Sequence, residues 1–310
     1  MKDPIICFDA RQQPLSFWGN SIIRLEQRPD ILVEHYPDVD RWLIWYSDYP
    51  ENASYPLAAH QQVEFMYCVD ESIEYYIGSE RYLFEKGDLM LLDTFVPHCL
   101  LVPEGRSIQY RRYALMINYE YFRLLLEDHP DPRASGFFKN PVVHLQEPVF
   151  RQIIALFEEI FLERSSNRIH NRLYAESLAL QILCLTIRAA LSKDAQPVAK
   201  EQDELADRIV AYIEGHYAEH ITLSSTARAL FVSESTVSHT IKKKLGVSFY
   251  AYVTQRRMLA ARTLISHGTP AGEASARVGF SDYTSFLRLF KKAYGITPRQ
   301  IKPTGNSCRP

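Results

Sequence analysis

What the chain lacks narrows the field first. Its five cysteines, Cys7, Cys68, Cys99, Cys184 and Cys308, include no Cys-x-x-Cys pair. An odd, scattered set gives neither a disulfide framework nor a zinc knuckle. No run of 18 apolar residues occurs, which argues against a membrane span. The first residues, Met1-Lys2-Asp3-Pro4, carry no apolar signal region. The expectation is a cytoplasmic chain with no membrane partner.

What is there divides unevenly. At 310 residues the chain is long enough for two domains, and an apolar share of 46% supplies two cores. Residues 205–310 carry 15 Lys and Arg against 6 Asp and Glu, a net +9. The remaining 20 and 31 leave residues 1–204 at −11. A basic last third behind an acidic remainder suits a nucleic-acid module joined to something that is not one.

Up to residue 118 the pattern is strand and turn. Residues 31–33, 41–46, 63–69, 72–77, 81–84, 89–92 and 108–117 read as strands. Pro37, Pro50 and Pro56 break them, as do Gly78-Ser79-Glu80, Lys86-Gly87-Asp88 and Pro103-Glu104-Gly105. Many short strands at about ten-residue spacing predict a barrel or a two-sheet sandwich. Residues 119–128 predict a short helix and 129–141 a loop. A helical hairpin follows, with Phe150, Ile153, Ile154, Phe157, Ile160 and Phe161 on one stripe. The second stripe is Leu173, Leu180, Leu183, Cys184 and Ile187. Its spare apolar surface suits packing on the barrel or pairing with a second copy. The polar residues 192–202 read as a linker.

The last third repeats itself. Two short helix pairs, joined by one long helix over residues 248–267, each end in a basic segment stopped by glycine: Lys242-Lys243-Lys244-Leu245-Gly246, then Lys291-Lys292-Ala293-Tyr294-Gly295. An α-helix fits the major groove of B-DNA, where residues on its outer face near the N-terminus read base edges. The first such helix offers Ser235, Ser238, His239, Lys242 and Lys243. The second offers Tyr283, Thr284, Leu287, Arg288, Lys291 and Lys292. Arg288 is the best candidate for a bidentate guanine contact. The lysine groups suit phosphates, which add affinity without sequence information. A linking helix of about 30 Å would set the two readers in adjacent major grooves, about 34 Å apart.

Residues 205–302 resemble the DNA-binding domain of the AraC/XylS family of transcription regulators. The second half carries Gly279-Phe280, Asp282, Phe286, Phe290-Lys291-Lys292, Gly295 and Thr297-Pro298. The first carries Ala227, Ser233, Lys242-Lys243, Gly246, Ser248-Phe249, Tyr252, Arg257, Ala261 and Leu264. Two departures stand out. Ile241 occupies a position usually Phe, and Ala274-Ser275 one usually Ile-Ala, which predicts a thinner fifth helix. The resemblance implies a two-domain fold: an N-terminal all-β cupin-like barrel with a helical hairpin, then an all-α domain with two helix-turn-helix units joined by a long helix. It divides the chain into a ligand-sensing barrel (1–145), a dimerisation hairpin (146–193), a linker (194–203) and a DNA-binding domain (204–303). It implies double-stranded DNA, a small-molecule effector, RNA polymerase and a second copy of the chain as partners.

His60, Glu64, the Gly87-Asp88 turn and Pro97-His98 resemble the cupin barrel. Cupin enzymes hold metal through a His-x-His pair, a Glu and a later His. Here Gln62 replaces one His and Glu64 follows His60 closely, so no catalytic metal, and no cofactor, is expected. An organic effector such as a sugar is expected instead, with Trp42, His60, Glu64, Tyr76 and His98 as its candidate contacts. For any one aromatic, core packing is the plainer reading. Three alternatives compete with a ligand-controlled regulator: a ligand-independent regulator, a metal-dependent cupin enzyme fused to a DNA-targeting module, and a DNA-repair methyl acceptor. The last needs a reactive cysteine cluster, and the sequence has none.

Overall fold

The computed structural model describes residues 5–9, 42–51, 57–60, 62–70, 72–102, 108–126, 136–164, 171–201, 205–294 and 296–301. The strand expected at 31–33 and the turn at Pro103-Glu104-Gly105 lie outside them.

The strands are β1 (Ile5–Asp9), β2 (Trp42–Glu51), β3 (Gln62–Cys68), β4 (Ile73–Ile77), β5 (Glu80–Phe84), β6 (Asp88–Leu92), β7 (His98–Leu101), β8 (Ile108–Asn118), β9 (Val142–His144), β10 (Gln196–Pro197) and β11 (Lys200–Glu201). They form a seven-stranded sheet, β1-β2-β8-β3-β6-β9-β10, and a four-stranded sheet, β11-β5-β4-β7. Among the described residues the two sheets are not closed into one barrel. Side-chain alternation explains the layering. In β3, Val63, Phe65 and Tyr67 point to one face of the large sheet; Met66 and Cys68 point to the other, against Tyr75, Phe84 and Leu100 of the small sheet. Both faces of the large sheet are covered, which is why β3 is buried along its whole length.

A short helix α1 (Tyr119–Leu125) follows β8, its N-terminus capped by the Asn118 side chain. Helices α2 (Glu147–Arg164) and α3 (Asn171–Ala190) form the hairpin over the outer face of the large sheet. Of the stripe expected on α2, Phe150, Ile153, Phe157 and Ile160 are buried, and Ile154 and Phe161 half-buried. That on α3 differs: Ala175, Leu178, Ala179, Ile182, Leu183 and Thr186 are buried, while Leu173, Leu180 and Cys184 are exposed. Small residues let α3 approach α2 closely, and Thr186 is satisfied inside the core. Tyr67 donates to its hydroxyl, which donates to the Ile182 carbonyl at 2.6 Å. By length and composition Leu173–Ala190 could cross a membrane; here it packs with α2 on the sheet.

The segment read as a linker is drawn into the sheets. Gln196 and Pro197 pair with His144 and Val143, and Lys200 and Glu201 pair with Tyr82 and Arg81. Backbone pairing at a sheet edge does not require apolar side chains, so composition gave no sign of it.

Helices α4 (Leu205–His216), α5 (Leu223–Leu230), α6 (Glu234–Leu245), α7 (Phe249–Ser266), α8 (Ala271–Arg277) and α9 (Tyr283–Tyr294) make up the last third, with a 3-10 turn at Pro298–Gln300. Their boundaries are chemical. Thr222 and Ser225 form a reciprocal capping box on α5, while Ser233 and Ser248 cap α6 and α7. Gly246 ends α6 in the left-handed conformation. Tyr76, Cys99 and Leu101, on the outer face of the small sheet, join Leu57 and Ala59 in the core of these helices. The layers therefore run hairpin, large sheet, small sheet, reader helices.

Candidate nucleic-acid interface and the enclosed polar set

Helices α5 and α6 form one helix-turn-helix unit and α8 and α9 the other, with α7 between them. On α6, Val237, Ile241 and Leu245 are buried, leaving Ser235, His239, Lys242 and Lys243 exposed and Ser238 half-buried. On α9, Phe286, Phe290 and Tyr294 are buried, leaving Tyr283, Thr284, Arg288, Lys291 and Lys292 exposed and Leu287 half-buried. Each face combines short polar groups with cations, the composition needed at base edges and phosphates. The Asp282 carboxylate accepts from the Ser285 and Thr284 amides at 2.7 and 3.2 Å, capping α9. The Ser285 hydroxyl, with these two amides, holds its pKa below the ordinary carboxylate value. Ile241 and Ala274 are wholly buried, and Ser275, also buried, donates to the Gly272 carbonyl at 2.8 Å. The smaller residues of α8 thus leave it closely packed.

The two units are fixed to one another. Arg257 of α7 donates from Nε to the Tyr217 carbonyl at 2.6 Å and from Nη2 to the Glu219 carbonyl at 2.7 Å. Its guanidinium also lies over Phe280, 5.8 Å from the ring centre. Arg256 pairs with Glu214 at 2.6 Å. Gly279 has φ +88°, and a Cβ there would stand 2.5 Å from the Ala218 carbonyl oxygen. Only glycine meets both conditions. Helix α7, with 18 residues, is about 27 Å long at about 1.5 Å per residue. That approaches the separation of successive major grooves.

The small sheet grips the first unit. Tyr76 donates to the Asp207 carboxylate, which also accepts from Arg81 Nε at 3.0 Å and Nη2 at 3.2 Å. Arg81 Nη1 reaches Glu74 at 2.9 Å, and the other Glu74 oxygen accepts from Lys244 of α6 at 2.7 Å. Burial and the Asp207 bond both push the Tyr76 phenol well above its usual pKa, so it stays a donor. One lysine of the Lys242-Lys243-Lys244 group is therefore held by the sheet. Nothing in the sequence marked Asp207, Arg81 or Glu74; each has a partner 126 or more residues away.

The five expected effector contacts fall in three places. Trp42 is in the core beneath the hairpin, and Tyr76 faces the reader helices. His60, Glu64 and His98 come together, all buried, with ligand atoms within 4.8 Å of one another. His60 Nε2 lies 2.9 Å, and His98 Nε2 3.8 Å, from Glu64 Oε2. Burial opposes ionisation of Glu64, but the His60 bond and the nearby charges outweigh it and hold its pKa below 4.5. Burial, reinforced by His60, pushes His98 down to about 4. Sequence reading missed Arg112, buried on β8, which donates to Tyr75 at 2.7 Å and lies over Trp45. A charged residue within the long apolar alternation of β8 was the available signal.

Comparison with known proteins agrees with this architecture. Residues 226–303 match the model of a helix-turn-helix domain, and residues 46–204, about half the chain, match the regulatory protein PchR N-terminal domain. The HTH-type transcriptional activators RhaS of Salmonella arizonae and Citrobacter koseri are 28% identical over 153 residues, 49% of this chain and 52% of theirs. The chain thus spans about half the length of the curated relatives it matches. Among solved structures, the C-terminal domain of AraT, a response regulator from Geobacillus stearothermophilus, is 32% identical, covering 35% of this chain and 94% of that one, with a TM-score of 0.33. Unsaturated fatty acid bound ToxT from Vibrio cholerae is 13% identical, covering 89% and 100%, with a TM-score of 0.36. The chain belongs to the AraC/XylS family of transcription regulators.

Proposed function

We propose that this protein is a sequence-specific transcription regulator, an activator, whose two helix-turn-helix units read adjacent major grooves of promoter DNA and whose N-terminal region controls them. The observation that carries this reading is the pair of exposed polar and basic faces on α6 and α9, held by Arg257 and Gly279 on one linking helix. The name of the relatives, transcriptional activator, supports the sign of regulation. The sheet sandwich is read as a cupin-like sensor over residues 1–145, followed by the hairpin (146–193), the strap (194–203) and the reader (204–303).

Control is read from the grip of the small sheet on the first unit. Lys244 cannot serve a phosphate and Glu74 at once, so a change in the sheet alters how α6 meets DNA. The effector, a sugar or related metabolite, would act among Arg112, Tyr75, His60, Glu64 and His98. A second reading, a regulator without an organic effector, is favoured by how fully Trp45, Met66, Tyr75 and Phe84 fill the space between the sheets. A thermal-shift screen with sugars separates the two: a ligand at 100 times its Kd stabilises by about 2.7 kcal/mol. Exposed Leu162, Leu173 and Leu180 on the hairpin support pairing with a second copy. The partners of this reading are DNA, the effector, a second copy and RNA polymerase, with the chain in the cytoplasm. The reading as a whole is tested by fluorescence anisotropy of the full chain on promoter DNA. A preference over random duplex at physiological salt supports it, and equal affinity overturns it.

A further inference from the structure

The His60–Glu64–His98 cluster presents a problem of proton count. His60 Nδ1 lies 2.9 Å from the Gln62 carbonyl oxygen, and His98 Nδ1 lies 3.0 Å from that of Val96. A carbonyl oxygen only accepts, so each Nδ1 carries its ring's proton. In a neutral ring Nε2 then carries a lone pair, so the 2.9 Å contact of His60 Nε2 with Glu64 needs either a second ring proton or a shared cation. Both Nε2 atoms turn toward one carboxylate oxygen, Glu64 Oε2. The second oxygen, Glu64 Oε1, is buried without a hydrogen-bond partner among the described residues. Donor atoms of three buried groups thus converge within 4.8 Å, and one cation bound among them satisfies all three, Glu64 Oε1 included.

We infer that His60, Glu64 and His98 form a binding site for a divalent first-row transition-metal ion. Two imidazoles and one carboxylate are the donor set such ions take, whereas magnesium and calcium prefer oxygen donors. Bonds of about 2.0–2.2 Å to one ion place neighbouring donors roughly 3–3.5 Å apart. The His60–Glu64 pair, at 2.9 Å, stands just inside this spacing, and His98, at 3.8 Å, just outside it, so small ring movements bring both to it. The outer hydrogen bonds, each Nδ1–H to a backbone carbonyl, fix ring orientation as metal-binding histidines require. The sequence argued against metal because Gln62 breaks the His-x-His pair. The fold supplies the second imidazole from β7 instead.

The site has a route to the reader. His98 and Ala58 exchange backbone hydrogen bonds at 2.8 and 2.9 Å, so the two histidine segments move together. Ala59 and Cys99, adjacent in sequence to the two ligands, pack among the reader helices. Phe95 donates its amide to the His60 carbonyl at 2.7 Å, and its ring meets His267 at the end of α7. A shift of the ligands by the ion is passed to the sheet face on which α4–α9 rest.

The test uses the full chain, stripped of metal by chelator dialysis and then equilibrated with Zn2+ in the presence of millimolar Mg2+. One Zn2+ per chain is expected by elemental analysis after removal of excess ion. His98→Ala and Glu64→Gln are expected each to weaken binding by at least a hundredfold. Co2+ substitution of the unaltered chain adds a readout independent of variant folding: d–d absorption bands of nitrogen and oxygen ligation. No bound Zn2+ and no such bands would overturn the inference. Binding unchanged in both variants, if folded by circular dichroism, would overturn it too. Because metal content is read without DNA, neither result bears on the regulator reading.

Discussion

The sandwich and the reader handle charge in opposite ways. The sandwich encloses Glu64, His98, Arg112 and Arg81, while the reader displays Lys242, Lys243, Arg288, Lys291 and Lys292 at its surface. Enclosed charge in a low-dielectric interior is sensitive to protons and ligands; displayed charge is sensitive to salt and polyanions. The difference teaches where each perturbation should act. The Glu74–Lys244 pair is a contact at which a cation of a reader helix is drawn into the sandwich.

Salt should produce the largest separation. Raising it from 50 to 200 mM should weaken DNA binding by about a thousandfold or more, if at least six phosphates are neutralised. Denaturant midpoints over the same range should barely move, because buried pairs are poorly screened. Anisotropy and urea unfolding, run side by side, measure both; equal sensitivity breaks the comparison.

Acid should act on the sandwich. His98 titrates at about 4 in the fold against 6.5 in the unfolded chain. Between these values the unfolded chain takes up a proton that the folded chain refuses. Stability therefore falls as pH drops from 6.5 toward 4, by on the order of 3 kcal/mol, and is flat in this term above 6.5. His60, Glu64 and Arg112 face the same imidazole and their charges enter the slope. Urea midpoints against pH should flatten over this window in His98→Gln. An unchanged slope would show that His98 is not the group responsible.

Base reading comes next in size. Arg288→Ala should cost about 1–3 kcal/mol on the preferred sequence and far less on random duplex. A uniform loss on both would make Arg288 a phosphate contact. The smallest effect belongs to the shared contact. Glu74→Gln should release Lys244, tightening DNA binding a fewfold and steepening the salt dependence by about one ion. Weaker binding would mean that the grip of the sheet assists α6 instead of restraining it.

The reader was legible in the sequence because its signals are local. Ser233, Gly246, Ser248 and Asp282 act within three or four residues of where they stand, and helical spacing marks Val237, Ile241 and Leu245 as inward. Strands β2 to β6 and β8 were legible one by one, whereas β1, β7, β9, β10 and β11 were not, and neither was the pairing, since β3 lies between β6 and β8 through contacts distant in sequence. On α3 the larger side chains misled: Leu173 and Leu180 face out because Ala175, Ala179 and Thr186 allow closer approach to the neighbouring layers. The grouping of His60 with Glu64 was visible as a short spacing, but the Asp207–Arg81 and Glu74–Lys244 pairs join regions that no sequence period connects.

The central claim is that one rigid linking helix presents two readers to one face of DNA. Guanine methylation interference on the regulated promoter, with the full chain, tests it directly. Two clusters of interfering guanines about one helical turn apart, roughly 10.5 base pairs, are predicted, with Arg288→Ala losing the cluster read by α9. A single cluster, or interference without periodicity, would contradict it.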